Sequence, residues 1–407
     1  MASLSRDERH LITIEGLDYF VNGLASVFVT IFIFAHSDLR TTVLFSLWSF
    51  VSLLVFIVAA AWVLRRVSSG LLMKISIVCG AVFYLLLFYL QGNAIHYLFP
   101  LAIFSGFGGG MFWASFNLNQ YILTNEVGRE QYFGWAMSVI NFLSAIAPFI
   151  GGSIITLAGT TLYFGVSPGY ALLFFIVFIL LLCMVLFIGK LPSHEIPQFS
   201  YRDLFRKSRT RTWNLVLGQQ MLLGLYDVAF GTISGVLFYL ILRQEFWVGA
   251  AQAISYLLGT VTGVVSAKFL RKDPRWFWLG SLGLAAGNLV FAVMQNTTGL
   301  WIFVIVTGIT GPFINTWLST VSFQAIDAVK DHWRDKYHFL VERDIVLGVP
   351  RVISYIVLYM LLAHGDQVTL AREWLYIAPV LPFTIGVLLH MSHINSSKAK
   401  VVSTIHE

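Results

Sequence analysis

Residues 15–29, EGLDYFVNGLASVFV, contain Glu15, Asp18 and Asn22 inside a segment that is otherwise apolar. An ionised carboxylate at the centre of a bilayer costs about 2.5 to 3.5 kcal/mol on insertion scales, so it usually faces a wet cavity or a partner. Asn22 follows Asp18 by four residues and therefore shares its helix face. An acid whose surroundings change between two conformations can take up a proton on one side of a membrane and release it on the other.

A second acid and a deeply placed arginine occur later in the chain. Asp227 lies midway along another apolar segment. Arg351 follows Asp344 by seven residues, about 10 Å along a helix, and at that depth it needs an anion. Its candidate partners are Asp18, Asp227, Glu15 and Glu342. Two interpretations stay open: proton or cation coupling through Asp18 or Asp227, and purely structural pairing or substrate contact.

The composition is typical of a protein that crosses a membrane many times. Of 407 residues, 57% are hydrophobic and 11% are charged, and the mean hydropathy is +0.78. This leaves too little polar surface to cover a soluble globule of this size. Apolar runs near 20 residues, the length that crosses a hydrocarbon core of about 30 Å, occur twelve times. The predicted spans are 11–35, 43–64, 75–91, 97–120, 134–157, 169–189, 214–242, 248–267, 276–295, 300–323, 345–363 and 374–391.

The basic residues predict how these helices are oriented. With a cytoplasmic N-terminus, the cytoplasmic segments hold 21 Lys and Arg residues and the external loops hold 3. This asymmetry follows the positive-inside rule and predicts an even number of helices with both termini in the cytoplasm. The net charge of +6 then reflects topology, and no nucleic-acid partner is expected. Cys79 and Cys183 lie within predicted helices and give no disulfide or metal framework.

A hydrophilic stretch divides the twelve helices into two groups of six. The predicted organisation is an N-terminal six-helix bundle (1–189), a basic cytoplasmic linker (190–213), a C-terminal six-helix bundle (214–393) and a cytoplasmic tail (394–407). Glycines and prolines recur in order at nearly fixed offsets: Gly16 with Gly224 at 208, and Pro148 with Pro350 at 202. Because six is an even number, both groups enter the membrane from the same side, and the repeat is parallel rather than inverted.

Two connections resemble a known loop signature. Residues 61–70 read AWVLRRVSSG and residues 263–272 read GVVSAKFLRK. They resemble the major facilitator superfamily pattern G-x-L-x-D-R-x-G-R-[RK], which occurs once in each half. On that pattern the basic positions are Arg66, Lys268, Arg271 and Lys272. The family's acidic position, which helps to lock the halves on the cytoplasmic side, is filled by Arg65 and Ala267, so such a lock must use other acids here.

The fifth predicted helix contains SAIAPFIGG, residues 144–152, which looks like the superfamily signature G-P-x-x-G-G. Pro148 removes a backbone hydrogen bond and kinks the helix, while Gly151 and Gly152 let a neighbouring helix approach closely. In the family this pattern is associated with exporters that exchange a substrate for protons. An ordinary kink and packing seam is the alternative explanation.

The resemblance also predicts where the polar residues of the spans lie. In the superfamily, helices 1, 4, 7 and 10 line a central cavity, so Asp18, Asn22 and Asp227 would face it. Glu15, about one turn inside the membrane, is a further candidate for coupling or for the cavity, as is Arg351. Further candidates for the cavity wall are Asn117, Trp113, Asn315, Gln219 and Gln220.

The sequence thus predicts an all-α membrane protein of the major-facilitator type with twelve helices. The expected function is secondary transport of a small organic solute by alternating access, with proton-coupled efflux as the favoured form. Proton-coupled import of a sugar or other metabolite, lipid flipping and a non-transporting scaffold role are the alternatives. We expect a monomer in a bacterial cytoplasmic membrane, with no cofactor, and no catalytic set of an enzyme is found.

Overall fold

The computed structural model describes residues 4–124, 129–161, 167–196, 198–204, 209–328 and 333–405. Within these residues the chain forms long helices joined by short turns, and we number the long helices in chain order. They are α1 (Arg6–His36), α2 (Leu39–Val63), α3 (Ser69–Leu90), α4 (Leu98–Leu123), α5 (Arg129–Thr161), α6 (Ser167–Ile188), α7 (Arg211–Leu242), α8 (Glu245–Lys272), α9 (Phe277–Met294), α10 (Thr297–Asp327), α11 (Trp333–Leu361) and α12 (Val380–Ile405).

These helices agree with the predicted membrane spans. Eleven segments of the described chain are long and apolar enough to cross a bilayer, and one of them, 69–123, holds both α3 and α4 with a 3-10 turn, Gln91–Tyr97, between them. The twelve predicted helices and the all-α fold class are therefore confirmed. Two helices extend well beyond their predicted apolar runs: α11 begins at Trp333 rather than near residue 345, and α12 ends at Ile405 rather than near residue 391, in the segment predicted as a tail.

Polar caps fix where several helices begin. The Ser5 hydroxyl accepts the Glu8 backbone N–H while the Glu8 carboxylate accepts the Ser5 N–H, which is a complete capping box. The Asp38 and Asn296 side chains accept backbone N–H groups in the first turns of α2 and α10. These caps satisfy helix donors that would otherwise lack partners at the membrane boundary.

Two seams join the first six helices to the last six. α2 packs along α11, and α5 packs along most of the length of α8. The α5–α8 seam is close because Gly249 of α8 lies directly against the backbone of Pro148, where an added Cβ would clash with the carbonyl oxygen. At the end of the same seam, a Cβ on Gly152 would come within 2.6 Å of the Glu245 carbonyl oxygen. Small residues therefore set the helix spacing, as is common in membranes.

The two faces of the bundle differ in charge. We call the face at which α1 begins the basic face, because the α2–α3 turn with Arg65 and Arg66 and the end of α8 with Arg271 and Lys272 lie there. The other face, at which α1 ends and α2 begins, is called the opposite face. In the sequence-based topology the basic face is cytoplasmic.

Candidate functional site: a polar and aromatic cavity between the two groups of helices

A cavity of about 610 Å³ lies between the helices, on the half of the bundle nearer the opposite face. Its wall is formed by side chains of α1 to α8 and of α11. Its volume is within the roughly 300 to 1,000 Å³ that is usual for sites of small organic ligands. Five of the sequence-based candidates belong to this wall: Asp18, Asn22, Trp113, Asp227 and Pro148.

Asp18 is the acid of α1 that reaches the cavity. The residue is 6% exposed, and its Oδ1 accepts a hydrogen bond of 2.9 Å from the Asn22 amide. Among the described residues no Lys, Arg or His forms an ion pair with it. A buried carboxylate with only one amide donor carries a high cost while ionised, so a proton or a bound cation is expected to neutralise it.

Asp227 reaches the same cavity from α7, but it has a counter-ion. The Arg351 Nε donates to its Oδ2 at 2.8 Å, and a second guanidinium nitrogen of Arg351 contacts the same oxygen. The guanidinium also lies 5.5 Å from the centroid of the Phe50 ring. Of the four acids that the sequence offered as partners for Arg351, the fold thus brings Asp227 to it. Glu342 is occupied elsewhere, by an ion pair with Arg209 and a 2.9 Å hydrogen bond from the Trp213 indole.

Glu15 lies one turn from Asp18 towards the basic face and does not belong to the cavity wall. It is 6% exposed, and its Oε2 has no hydrogen-bond partner among the described residues. The structure therefore places a second buried carboxyl group one turn from Asp18 on α1.

A chain of hydroxyl groups crosses the cavity wall and was not found by sequence reasoning. The hydroxyls of Ser46 and Thr232 lie 2.9 Å apart, and that of Thr232 lies 2.8 Å from the Tyr355 hydroxyl. The chain links α2, α7 and α11. Single Ser, Thr and Tyr residues are too common in helices to reveal such a contact from the sequence.

Aromatic rings form much of the remaining wall. Trp113, predicted as part of an aromatic wall, makes an edge-to-face contact with Tyr19 at a centroid distance of 5.9 Å. Tyr19 and Tyr256 both line the cavity. Neither tyrosine was a sequence-based candidate, because an isolated aromatic residue in an apolar helix usually packs in the core or faces lipid.

Four predicted lining residues lie outside the cavity wall. Asn117 donates to Asp344 at 3.2 Å near the basic face, and Gln219 donates to Ser392 at 3.1 Å, so its face of α7 is turned to α12. Gln220 is buried and Asn315 is exposed, both away from the cavity. These are the corrections to the predicted lining set: Asn117, Gln219, Gln220 and Asn315.

The expected contribution of the tenth helix is also missing from the cavity wall, as far as the described residues go. α10 packs closely on α8, where an added Cβ on Gly308 would be 2.6 Å from the Ser255 carbonyl oxygen.

The helix-5 residues contribute both to the wall and to packing. Pro148 lines the cavity, and a Cβ on Gly151 would clash with the Leu24 carbonyl oxygen of α1. Gly152 faces Glu245 of α8. The motif thus brings α1 and α8 onto α5 on the side of the cavity nearer the opposite face.

The two loops that resemble the superfamily signature expose their basic residues. Arg66, Lys268, Arg271 and Lys272 are all exposed, and the Arg66 guanidinium lies 5.7 Å from the Trp62 ring centroid. The turn between α2 and α3 is bound instead by the linker that follows α6. The Ile196 N–H donates to the Leu64 carbonyl at 2.8 Å, and the Ser69 N–H donates to the His194 carbonyl at 2.9 Å.

Asn119 completes this loop contact. Its Oδ1 accepts a 2.9 Å hydrogen bond from the Ser69 hydroxyl and lies 3.1 Å from the His194 Nδ1. Burial lowers the pKa of the His194 imidazole below its usual range, opposed in part by the charge of Asp7. Backbone and amide groups therefore bind this loop where the family uses an aspartate.

Contacts between the two groups of helices occur on both sides of the cavity. Near the basic face the Tyr121 hydroxyl donates to Asp327 at 3.2 Å, and the Tyr121 ring stacks on Phe323. At the opposite face the Gln367 side chain accepts from the Arg40 N–H and donates to Asp38, both at 3.0 Å. These contacts link the two groups of helices on either side of the cavity.

The sequence model of the Major Facilitator Superfamily matches residues 11–334. The chain therefore belongs to this superfamily. It is a multi-pass integral membrane protein of a class that transports small solutes, and not an enzyme.

Solved structures show the same fold. The Escherichia coli fucose:proton symporter superposes with a TM-score of 0.65 at 13% identity, over 94% of this chain and 98% of that one. The nucleoside transporter NupG gives a TM-score of 0.65 at 15% identity, over 95% and 99% of the two chains. A bacterial homologue of the iron transporter ferroportin, in an outward-facing state, gives 0.62 at 13% identity, over 96% and 100%.

Two bacterial proteins are related in sequence. YqgE of Bacillus subtilis (strain 168) is 18% identical over 361 residues, which cover 87% of this chain and 82% of YqgE. An uncharacterized protein in the sodM 3' region of Geobacillus stearothermophilus is 27% identical over 156 residues, 38% of this chain and 72% of that protein.

Proposed function

We propose that this transporter exports a small organic solute in exchange for protons, with Asp18 as the proton-binding group in the cavity. The observation that carries the proposal is a buried carboxylate on the cavity wall that has a single amide donor and no cationic partner among the described residues. Such a group is stable when it is protonated or when a cation lies beside it.

Alternating access supplies the coupling. The proposed moving units are the bundles 1–189 and 214–393, joined by the linker 190–213, with the protein acting as a monomer in a bacterial cytoplasmic membrane. When the contacts near one face separate, water reaches Asp18 from that face, and the proton exchanges with that compartment. Return to the other state exposes the same carboxyl group to the second compartment.

The direction of transport rests on two features. The resemblance of residues 144–152 to the helix-5 pattern of exporters favours efflux. The contacts of Gly151 with α1 and of Gly152 with α8 support this, because they bring three helices together on the side of the cavity nearer the opposite face. With the basic face in the cytoplasm, that side is external, and close packing there limits leakage.

Uptake of a sugar or another metabolite is the second candidate. Two of the similar structures are described as a fucose:proton symporter and a nucleoside transporter. The hydroxyl chain Ser46–Thr232–Tyr355 in the cavity wall also favours a hydroxylated solute, since such groups can exchange hydrogen bonds with it.

The test is the pH inside proteoliposomes that contain the purified protein, measured after adding dyes, antibiotics, sugars and amino acids one at a time. We expect one class of compound to drive proton movement in the parent, and we expect Asp18→Asn to abolish it. Glu373→Gln, at an exposed acid of the opposite face, is the matched control and should behave as the parent.

The sign of the proton movement decides between efflux and uptake. Solute and proton moving in opposite directions supports exchange, and movement in the same direction supports symport. Proton movement that is unchanged in Asp18→Asn would contradict the role given to Asp18.

A further inference from the structure

The cavity wall carries acidic but no basic side chains. Its described lining includes Asp18 and Asp227 and no Lys, Arg or His. Arg351 lies behind the wall and neutralises Asp227. While Asp18 is ionised, the wall therefore has one unbalanced negative charge, at that residue.

Several polar groups of the wall already have partners within the protein. The Ser46 hydroxyl contacts the Thr42 carbonyl oxygen at 3.1 Å and the Thr232 hydroxyl at 2.9 Å. The Thr232 hydroxyl also contacts the Tyr355 hydroxyl, and the Asn22 amide donates to Asp18. Charge, by contrast, remains unmatched. An anion would be repelled by the unpaired carboxylate of Asp18, and a neutral solute would leave ionised Asp18 without a counter-ion.

Aromatic rings line the same cavity as Asp18. Nine of the lining residues are Phe, Tyr or Trp, and Tyr19, next to Asp18 in α1, contacts Trp113 edge to face. The faces of aromatic rings attract a cation within about 6 Å, and the attraction is stronger where water is excluded. A carboxylate with several rings is the combination that binds substituted ammonium and related ions.

We infer that the solute is a monovalent organic cation, held by Asp18 and the aromatic rings Tyr19 and Trp113. This inference rests on the proposed function and names the substrate class of its site. The cavity of about 610 Å³ has room for a drug-sized molecule.

One carboxylate then serves two ligands in turn. The cation binds to ionised Asp18, so its entry requires the proton to leave, and the proton returns when the cation has left. The titratable groups that face Asp18 in the described structure are Glu15 and Tyr19 on α1 and Tyr84 on α3, and none of them carries positive charge. Competition at a single group couples the two ligands without a second site.

The experiment uses three probes of similar shape and different charge: tetraphenylphosphonium, neutral triphenylphosphine oxide and tetraphenylborate. Binding to the purified full-length protein in detergent is measured by isothermal titration calorimetry, with protein-free micelles subtracted. We expect tetraphenylphosphonium to bind at least about tenfold more tightly than the neutral probe. Tetraphenylborate should not bind detectably.

Variants separate the charge from the shape of the site. Asp18→Asn should weaken tetraphenylphosphonium binding by about tenfold or more and leave the neutral probe unchanged, while Asp18→Glu should retain the preference for the cation. Glu373→Gln is the control. Titrations in buffers of different ionisation enthalpy should show proton release on cation binding in the parent and none in Asp18→Asn.

Equal affinity for the cationic and neutral probes, or no binding of the cation, would overturn the inference. If a sugar drives proton movement in proteoliposomes and Asp18→Asn abolishes it, the inference is wrong while Asp18 keeps its coupling role. If no compound drives proton movement and the cation does not bind, both the inference and the proposed function fail.

Discussion

The ion pair between Asp227 and Arg351 allows a quantitative test of how the cavity charges are balanced. The variants are Asp227→Asn, Arg351→Gln and the double variant. Each single change leaves one charge of the pair at the edge of the cavity without its partner, whereas the double change removes both charges together.

The magnitude follows from geometry and exposure. Two unit charges at the 2.8 Å separation of Arg351 Nε and Asp227 Oδ2 attract by about 6 kcal/mol at an effective dielectric constant of 20. Dehydration of both groups opposes this attraction. The side chains of Asp227 and Arg351 are 32% and 18% exposed, so water screens the pair further. We therefore expect a coupling energy of about 1.5 to 3 kcal/mol, between the values typical of surface pairs and of fully buried pairs.

The assay is unfolding of the purified protein by SDS titration in mixed micelles, for the parent and the three variants. The double variant should be more stable than the sum of the single changes predicts, by the coupling energy. The control cycle combines Lys268→Gln with Glu373→Gln, at two exposed residues on opposite faces. The effects of these two changes on the free energy of unfolding should be additive. Additivity of the Asp227 and Arg351 changes within about 0.5 kcal/mol would refute the assigned pairing.

The same variants test the balance of charge in the cavity. Arg351→Gln leaves Asp227 free to attract a cation, so tetraphenylphosphonium affinity should rise, by about threefold to tenfold if the gain is near 1 kcal/mol. Asp227→Asn leaves the arginine unpaired beside the cavity, and the affinity should fall. A lower affinity in Arg351→Gln would show that the guanidinium supports the site in another way.

Three further expectations concern packing and the contacts at the two faces. Gly249→Val should destabilise the protein by roughly 1 to 3 kcal/mol or prevent its expression, because the valine side chain would clash with the α5 backbone. A variant as stable as the parent would contradict the close packing of α5 on α8. Gln367→Ala should speed labelling of a Ser49→Cys reporter in the cavity wall from the external side. Tyr121→Phe should speed labelling of the same reporter from the basic face. Unchanged rates would show that these contacts do not hold the cavity closed. Burial opposes ionisation of Asp38, but hydrogen bonds from its neighbours outweigh this effect and hold its pKa below the usual range. The Asp38–Gln367 contact should therefore persist from pH 5 to 8 and weaken only below about pH 4. Labelling rates measured against pH will test this.

The predicted helices were accurate because their signal is local. A membrane-spanning helix must be apolar over about 20 residues, and this requirement is written in consecutive residues whatever the neighbouring helices are. The polar caps of α1 and α2 and the asymmetric basic residues are local signals of the same kind. The superfamily was accessible too, since the order of loops and repeated glycines does not depend on side-chain contacts.

The cavity wall could be predicted only in part. A polar residue in a membrane helix indicates that it avoids lipid, but it does so equally by facing a cavity, as Asp18 does, or by bonding to another helix, as Gln219 does with Ser392. The sequence does not record how far each helix is rotated about its axis. For that reason Asn117 and Asn315 were placed in the wall and Tyr19 was not.

The sequence by itself determined the number and approximate positions of the helices, their predicted orientation, and the presence of acids that are costly to expose to lipid. The tertiary structure alone decided which acid pairs with Arg351, which acid of the cavity has no counter-ion among the described residues, and which hydroxyls and rings lie in the same wall. The physical reason is the range of the interactions. Burial in lipid acts on each segment separately, whereas ion pairs and hydrogen bonds join atoms within about 3 Å of each other on helices that can be more than 100 residues apart.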